Sequence, residues 1–273
     1  RQSIAVQAAL LNDFHLSEDL VTDGFESFVA DQYQPNNIHL LVGSTSQMLY
    51  SFDYAHIRRK GRMTDLQKKE RTRRESHFLH KRISISKSFT NIINTVEQLI
   101  AHRATAHTTL YSDEKQEYKR VIRRAPVLKD LMNKGSFRHV TISSKAPRTT
   151  SNKLFPVNYM DRLLRKDMAV HVRETVRFSQ NVSNSLERLA LFQVQHNCLK
   201  PYRIAVKDKE DYLHAEVAGV GLDKISEELR DFFTFRKFVS HVHLNQSQSL
   251  VWFRKVPTLS CDDGVYLPKF AWM

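Results

Sequence analysis

The sequence predicts an α/β fold, a mixed sheet with helices on its faces, and three observations carry that expectation. Strand-like runs at 20–29 (LVTDGFESFV), 38–43 (IHLLVG) and 47–54 (QMLYSFDY) follow one another with short connections, as in an antiparallel meander. After them helical and strand patterns alternate, which places helices against a sheet. The composition agrees: 273 residues, 41% of them hydrophobic, supply a sizeable core, and 7 Gly with 7 Pro exclude a fibrous or disordered chain.

Each element has its own warrant. Residues 3–12 (SIAVQAALLN) are apolar and helix-friendly. QPNN at 34–37 reads as a turn between the first two strands. In 86–103, Phe89, Ile92, Ile93, Val96, Leu99 and Ile100 recur at the 3, 4, 7 spacing of an amphipathic helix. Ser86 or Ser88 would cap it, and His102 and Arg103 suit its negative end. A strand at about 107–112, a helix at about 114–124 and a strand at 137–143 follow, then a basic loop at 144–153. From Val157 to about Gln195 the helical pattern is long, and one bent helix or two helices broken near Ser179 fit it equally. Beyond Lys200-Pro201, a helix at 222–238 and strands at 239–244 and 249–254 predict a small α+β C-terminal appendage at 201–273. There is no internal repeat.

Charge narrows the partner. The formal net charge is +13 and the pI about 9.8, a balance that points to a polyanion, most often nucleic acid. Residues 58–82 (RRKGRMTDLQKKERTRRESHFLHKR) concentrate it, with eleven Lys or Arg against three acids. That segment reads as an exposed insertion, helical after Thr64. A solvated helix face is the plain alternative. Cys198 and Cys261 lie far apart and support neither a disulfide framework nor a zinc site, so a reducing interior is expected. No run of about 18 apolar residues predicts a membrane span, and no signal peptide is visible.

The chemistry rests on carboxylates. In HTTLYSDEKQEY (107–118) a strand ends on Ser112-Asp113-Glu114. Such residues serve turns and caps, or hold a metal. Asp23 lies in the first strand. The predicted order of elements is that of a ribonuclease-H-like mixed sheet flanked by helices. In that fold the first and fourth strands are central neighbours, which brings Asp23 beside Asp113. Paired carboxylates there suit magnesium, a hard cation that takes oxygen ligands. Asp53, Glu26 and Asp31 compete with them. His77, His80 and the HVH at 241–243 read as surface or core histidines, and there is no glycine-rich phosphate loop or Gly-x-Ser-x-Gly elbow.

Three stretches together resemble the catalytic domain of bacterial insertion-sequence transposases of the DDE type: DGFESFV at 23–29, LYSDEKQEY at 110–118 and VNYMDRLLRKDMAVHVRETVRFSQNV at 157–182. The resemblance covers roughly residues 20–200. It implies a catalytic domain at 1–200 with the basic insertion at 58–82, and catalytic acids at Asp23 and Asp113. The family's third acid falls on Asn158, counted back from Arg173-x-Thr175, and Asp161 lies one turn later on nearly the same face. Asp161 or Asn158 is therefore the expected third ligand, and Glu174, sixteen residues past Asn158, is a further candidate. The resemblance also implies Mg2+ or Mn2+, double-stranded DNA (element ends and target) as partner, a homodimer or higher assembly on DNA, and a cytoplasmic, nucleoid-associated bacterial setting. An upstream DNA-recognition domain would precede Arg1. Arg58, Arg59, Lys60, Arg62, Lys145, Arg148, Arg162, Arg165, Lys166 and Arg173 are the expected phosphate contacts. Two other classes stay open: a non-catalytic DNA-binding protein on the same fold, and a structure-selective nuclease.

Overall fold

The computed structural model describes residues 1–103, 105–143, 145–172, 178–202, 212–230 and 232–259. Helix α1 (Gln2–Leu11) precedes strands β1 (Leu20–Val29), β2 (Asp31–Gly43) and β3 (Leu49–His56). Helices α2 (Asp65–Ser76) and α3 (Ile85–Ala101), strand β4 (Thr108–Asp113), helices α4 (Gln116–Arg124) and α5 (Pro126–Asn133) and strand β5 (Phe137–Ile142) come next. Then come α6 (Phe155–Asp167), α7 (Val182–Cys198), α8 (His214–Val217), α9 (Leu222–Arg230) and α10 (Gln246–Trp252).

The sheet order is β3-β2-β1-β4-β5, with β1, β2 and β3 antiparallel and β1, β4 and β5 parallel. This is the expected α/β architecture with a mixed sheet. Its central strands are buried on both faces, so they read as continuous apolar runs, with successive residues serving opposite sides. Leu20, Leu41 and Tyr50 join one core cluster with Phe89, Ile92 and Val96 of α3. Val21, Leu40 and Leu49 join the other with Val157, Met160 and Leu164 of α6 and Leu186 and Leu189 of α7.

Several boundaries differ from expectation. QPNN is part of β2, not a turn. The chain reverses at Ala30 instead, in a left-handed conformation (φ 62°). Pro35 is tolerated because it lies where the β1 register shifts, and pairing with β3 begins only at Asn36, so its missing N–H breaks little of the ladder. The cap of α3 is Ser84, whose hydroxyl accepts the Lys87 N–H, not Ser86 or Ser88. Ser88 is buried and bonds His39. The long helical pattern is two helices, and α6 ends at Asp167, before a 3-10 turn at Ala169–His171. Residues 222–238 are helical only to Arg230.

The two C-terminal strands are absent. Residues 239–241 form a 3-10 turn, and 246–252 form α10, capped by Asn245 and Gln248 bonding reciprocally. Val251 and Trp252 of α10 enter the second core cluster, and Ala215, Ala218 and Ile225 enter the first. Cys198 is buried, and Cys261 lies outside the described residues.

A buried polar knot fastens α10 to β3 and α3. Asp53 accepts from Ser247 at 2.6 Å and from Asn91 at 3.0 Å. Burial raises its pKa to about 6 in spite of these bonds. Its ionised form is thus less favoured in the fold than in the open chain. Stability is complete below the ordinary carboxylate value and falls as pH rises to about 6. Replacing Ser247 with Ala leaves a buried acceptor short of a donor, at a cost of about 1–3 kcal/mol. Denaturant titrations should show that loss growing from pH 4 to above pH 6, as Asp53 ionises.

Candidate active site

The site forms where β1 and β4 part. Their parallel ladder runs from Leu20↔Leu110 to Thr22↔Ser112 and stops one residue short of Asp23 and Asp113. Alternation gives Asp23 the side of Val21 and Phe25, and Asp113 the side of Tyr111; all three neighbours pack with the cluster that contains α6. Both acids therefore lie towards that helix. Asp161 follows the buried Met160 on α6, which packs on β1.

The charges register this grouping. The Asp23 pKa is raised, first by burial and further by Asp113, against the pull of Lys115 and of the Gly24 N–H. Asp161 is pushed up to about 7, first by burial and then by the negative charge of Asp23, while Arg165, Lys115 and Arg148 draw it down. Its Oδ1 is buried with no hydrogen-bond partner. Such an orphaned carboxylate oxygen is costly unless a proton or a cation meets it. Burial also lifts the Tyr118 phenol well above its ordinary value, and Asp23, Asp113 and Asp161 all add to that.

Lys115 supplies the positive charge paired with Asp23. It precedes α4 and reaches back to donate to Asp23 Oδ1 at 3.3 Å and to the Tyr118 hydroxyl at 3.4 Å. Tyr118 stacks on Phe89 at 4.0 Å and packs on His39. His39 is held neutral, its pKa lowered to about 3 by burial and then by Lys115. Lys115 and His39 went unnoticed in the sequence. Lys115 had a signal, as the first base after the second Asp, but His39 had none. Asp23 is followed by glycine because the Asn37 side chain lies 2.4 Å from where a Gly24 Cβ would stand.

An all-carboxylate donor set and the bare Asp161 oxygen fit a hard divalent cation. The arrangement is not closed, for among the described residues no three His, Cys, Asp or Glu groups stand close enough to hold a metal ion. Asn158 is half-buried one turn before Asp161. Glu174 and Arg173 lie outside the described residues.

The expected phosphate contacts divide into two groups. Lys60, Arg62, Lys145, Arg148, Arg162 and Lys166 are exposed. Arg58 pairs with Glu75 at 3.0 Å, Arg59 lies over the Tyr33 ring at 4.9 Å, and Arg165 lies over Phe25 at 4.6 Å. Helix α2 begins at the expected Thr64 in a capping box. Its Arg73 and Arg74 pair with Glu70, and Arg74 also with Asp31.

Asp161 has a testable signature. Its raised pKa stabilises the protonated form, so its contribution falls from the ordinary carboxylate value up to about pH 7 and is level above that. Asp161→Asn should therefore raise metal-free stability above pH 7 by roughly 2–4 kcal/mol, read from the shift and discounted for partial exposure. Below pH 4 the variant and the unaltered chain should melt together.

No protein-family model, no curated protein and no solved structure matches this chain.

Proposed function

We propose that the chain is a DDE-type transposase catalytic domain on a ribonuclease-H-like scaffold, cutting and joining DNA at the ends of a mobile element. The observation that carries this reading is geometric: the parallel β1–β4 ladder ends one residue before Asp23 and Asp113, on the face of the sheet that α6, with Asp161, covers. Asp161, rather than Asn158, is taken as the third acid, because it carries a charge, is half-buried on the α6 face toward β1, and feels the negative charge of Asp23. Magnesium or manganese held by these three carboxylates would supply charge stabilisation for in-line displacement at a phosphodiester.

The chain's own groups do the rest. Asp161 gives up its proton as a cation arrives, so cation affinity rises through pH 7. Lys115 leaves Asp23 and turns its ammonium to the phosphate. Arg148 and Arg165 neutralise the neighbouring strand. Water adds at phosphorus as the P–O3′ bond breaks, which frees a 3′ hydroxyl. That hydroxyl loses its proton and attacks a phosphodiester of the target in the same geometry, and the target's own P–O3′ bond breaks, leaving a protonated target 3′ hydroxyl.

The Lys115–Asp23 ion pair favours one rival, a non-catalytic DNA-binding protein in which the ammonium permanently takes the cation's place. A cleavage and strand-transfer assay on element-end DNA separates the readings. The unaltered chain should give metal-dependent nicks and joined products. Asp23→Asn, Asp113→Asn and Asp161→Asn should each lose them at least a hundredfold, about 2.7 kcal/mol of barrier. Tight DNA binding without cleavage would establish the rival, and nicks without joined products a nuclease. In parallel, the triple variant Lys60→Ala, Arg62→Ala, Arg148→Ala should flatten the slope of log affinity against log salt by about 2.7, at about 0.9 per lost phosphate contact.

A further inference from the structure

Beside the carboxylates lies a groove of 870 Å³ between the β1–β2 hairpin and the start of the basic segment. Cavities of about 300–1,000 Å³ are the usual size for a small organic ligand. One side carries Phe28 and Phe178, whose rings meet edge to face at 6.0 Å. Phe178 is held there because the next residue, Ser179, bridges to Val29 and accepts the Ala30 N–H at 2.7 Å. Arg58, Arg59 and Lys60 line the groove as well. Lys115 lines it too, and the same ammonium bonds Asp23, so the groove opens onto the candidate active site.

We propose that this groove seats unpaired nucleotides of a DNA end next to the phosphate held at Asp23, Asp113 and Asp161. The inference rests on the DNA-processing reading and adds to it the form of DNA the site receives. Each chemical class in the lining has a counterpart in a nucleotide. Phenylalanine rings offer a face or edge to a base, and the cations offer charge to its phosphate. Of the three acids in the lining, Asp31 is paired with Arg74, while Glu26 and Glu117 would repel phosphate but can accept hydrogen bonds from the amino groups of bases. Stacking needs an exposed base face, which a continuous duplex conceals and an unpaired end presents.

The test compares a blunt duplex with the same duplex carrying a short unpaired tail that contains 2-aminopurine, without divalent metal. The tail should tighten binding by about fivefold or more, the effect of one stacked base, and the probe's fluorescence should fall on binding. Phe178→Ala should bring the tailed-to-blunt affinity ratio close to one and restore the fluorescence. Lys60→Gln, at an exposed position, should lower the same ratio without touching the aromatic wall. Equal affinity for the two DNAs, with metal-dependent cleavage retained, overturns the groove assignment and leaves the transposase reading standing. No affinity for either DNA overturns both. If Phe178→Ala fails to fold, an unchanged ratio in Lys60→Gln overturns the assignment.

Discussion

Two carboxylates, Asp23 and Asp113, follow the last pair of the β1–β4 ladder, with Asp161 on the helix that covers the same face, and the surrounding structure answers the cost of burying negative charge there. Like charges in a partly buried place raise one another's pKa, and only a proton, a cation or a fixed dipole relieves them. Here Lys115 relieves Asp23, backbone N–H groups meet Asp23 and Asp113, and Asp161 keeps its proton to about pH 7. The split ladder makes this possible, because one further pair after Thr22↔Ser112 would close the gap that Lys115 enters. Beneath it, the Tyr118–Phe89 stack and the neutral His39 hold the Lys115 partner in place.

Positive charge is organised around this point rather than spread evenly. In the basic segment Glu70, Glu75 and Asp31 engage Arg58, Arg73, Arg74 and Arg82, which ties α2 to itself and to the β1–β2 hairpin. Exposed pairs of this kind contribute little stability singly, but as a network they set the direction of the arm. Arg59 and Arg74 at 4.9 Å from the Tyr33 ring fasten it further. Among the cations left exposed, Lys60 before α2 lines the groove that leads to Lys115. The insertion is thus both a folded arm and a source of charge.

Where reading from sequence failed, a contact from far along the chain had overruled a local signal. QPNN carries turn chemistry, yet it extends β2 because Asn36 and Asn37 are buried beside partners that the sequence does not place near them. Residues 239–254 show short alternating apolar runs, which periodicity alone cannot assign to strand or helix. There Asn245 and Gln248 were a legible capping box, and packing of Val251 and Trp252 settled the matter. The long helical pattern is two helices, as one expected reading had it: α6 stops at Asp167, and α7 starts at Val182, just past Ser179, which bridges to Val29.

By itself the sequence determined the alternation of strands and helices, the amphipathic face of α3, and the basic arm with its Thr64 cap. All of these follow from local periodicity, capping chemistry and charge, which act within a few turns. The tertiary structure alone decided that α6 carries Asp161 on the face of the sheet shared by Asp23 and Asp113, that Lys115 returns to Asp23, that Asp53 is a buried anchor for α10, and that Phe28 meets Phe178. Each joins residues many tens of positions apart, as Lys115 and Asp23 are at 92. Such pairings depend on which strand edges and helix faces meet once both sides of the sheet are buried, and nothing in a linear window encodes that choice.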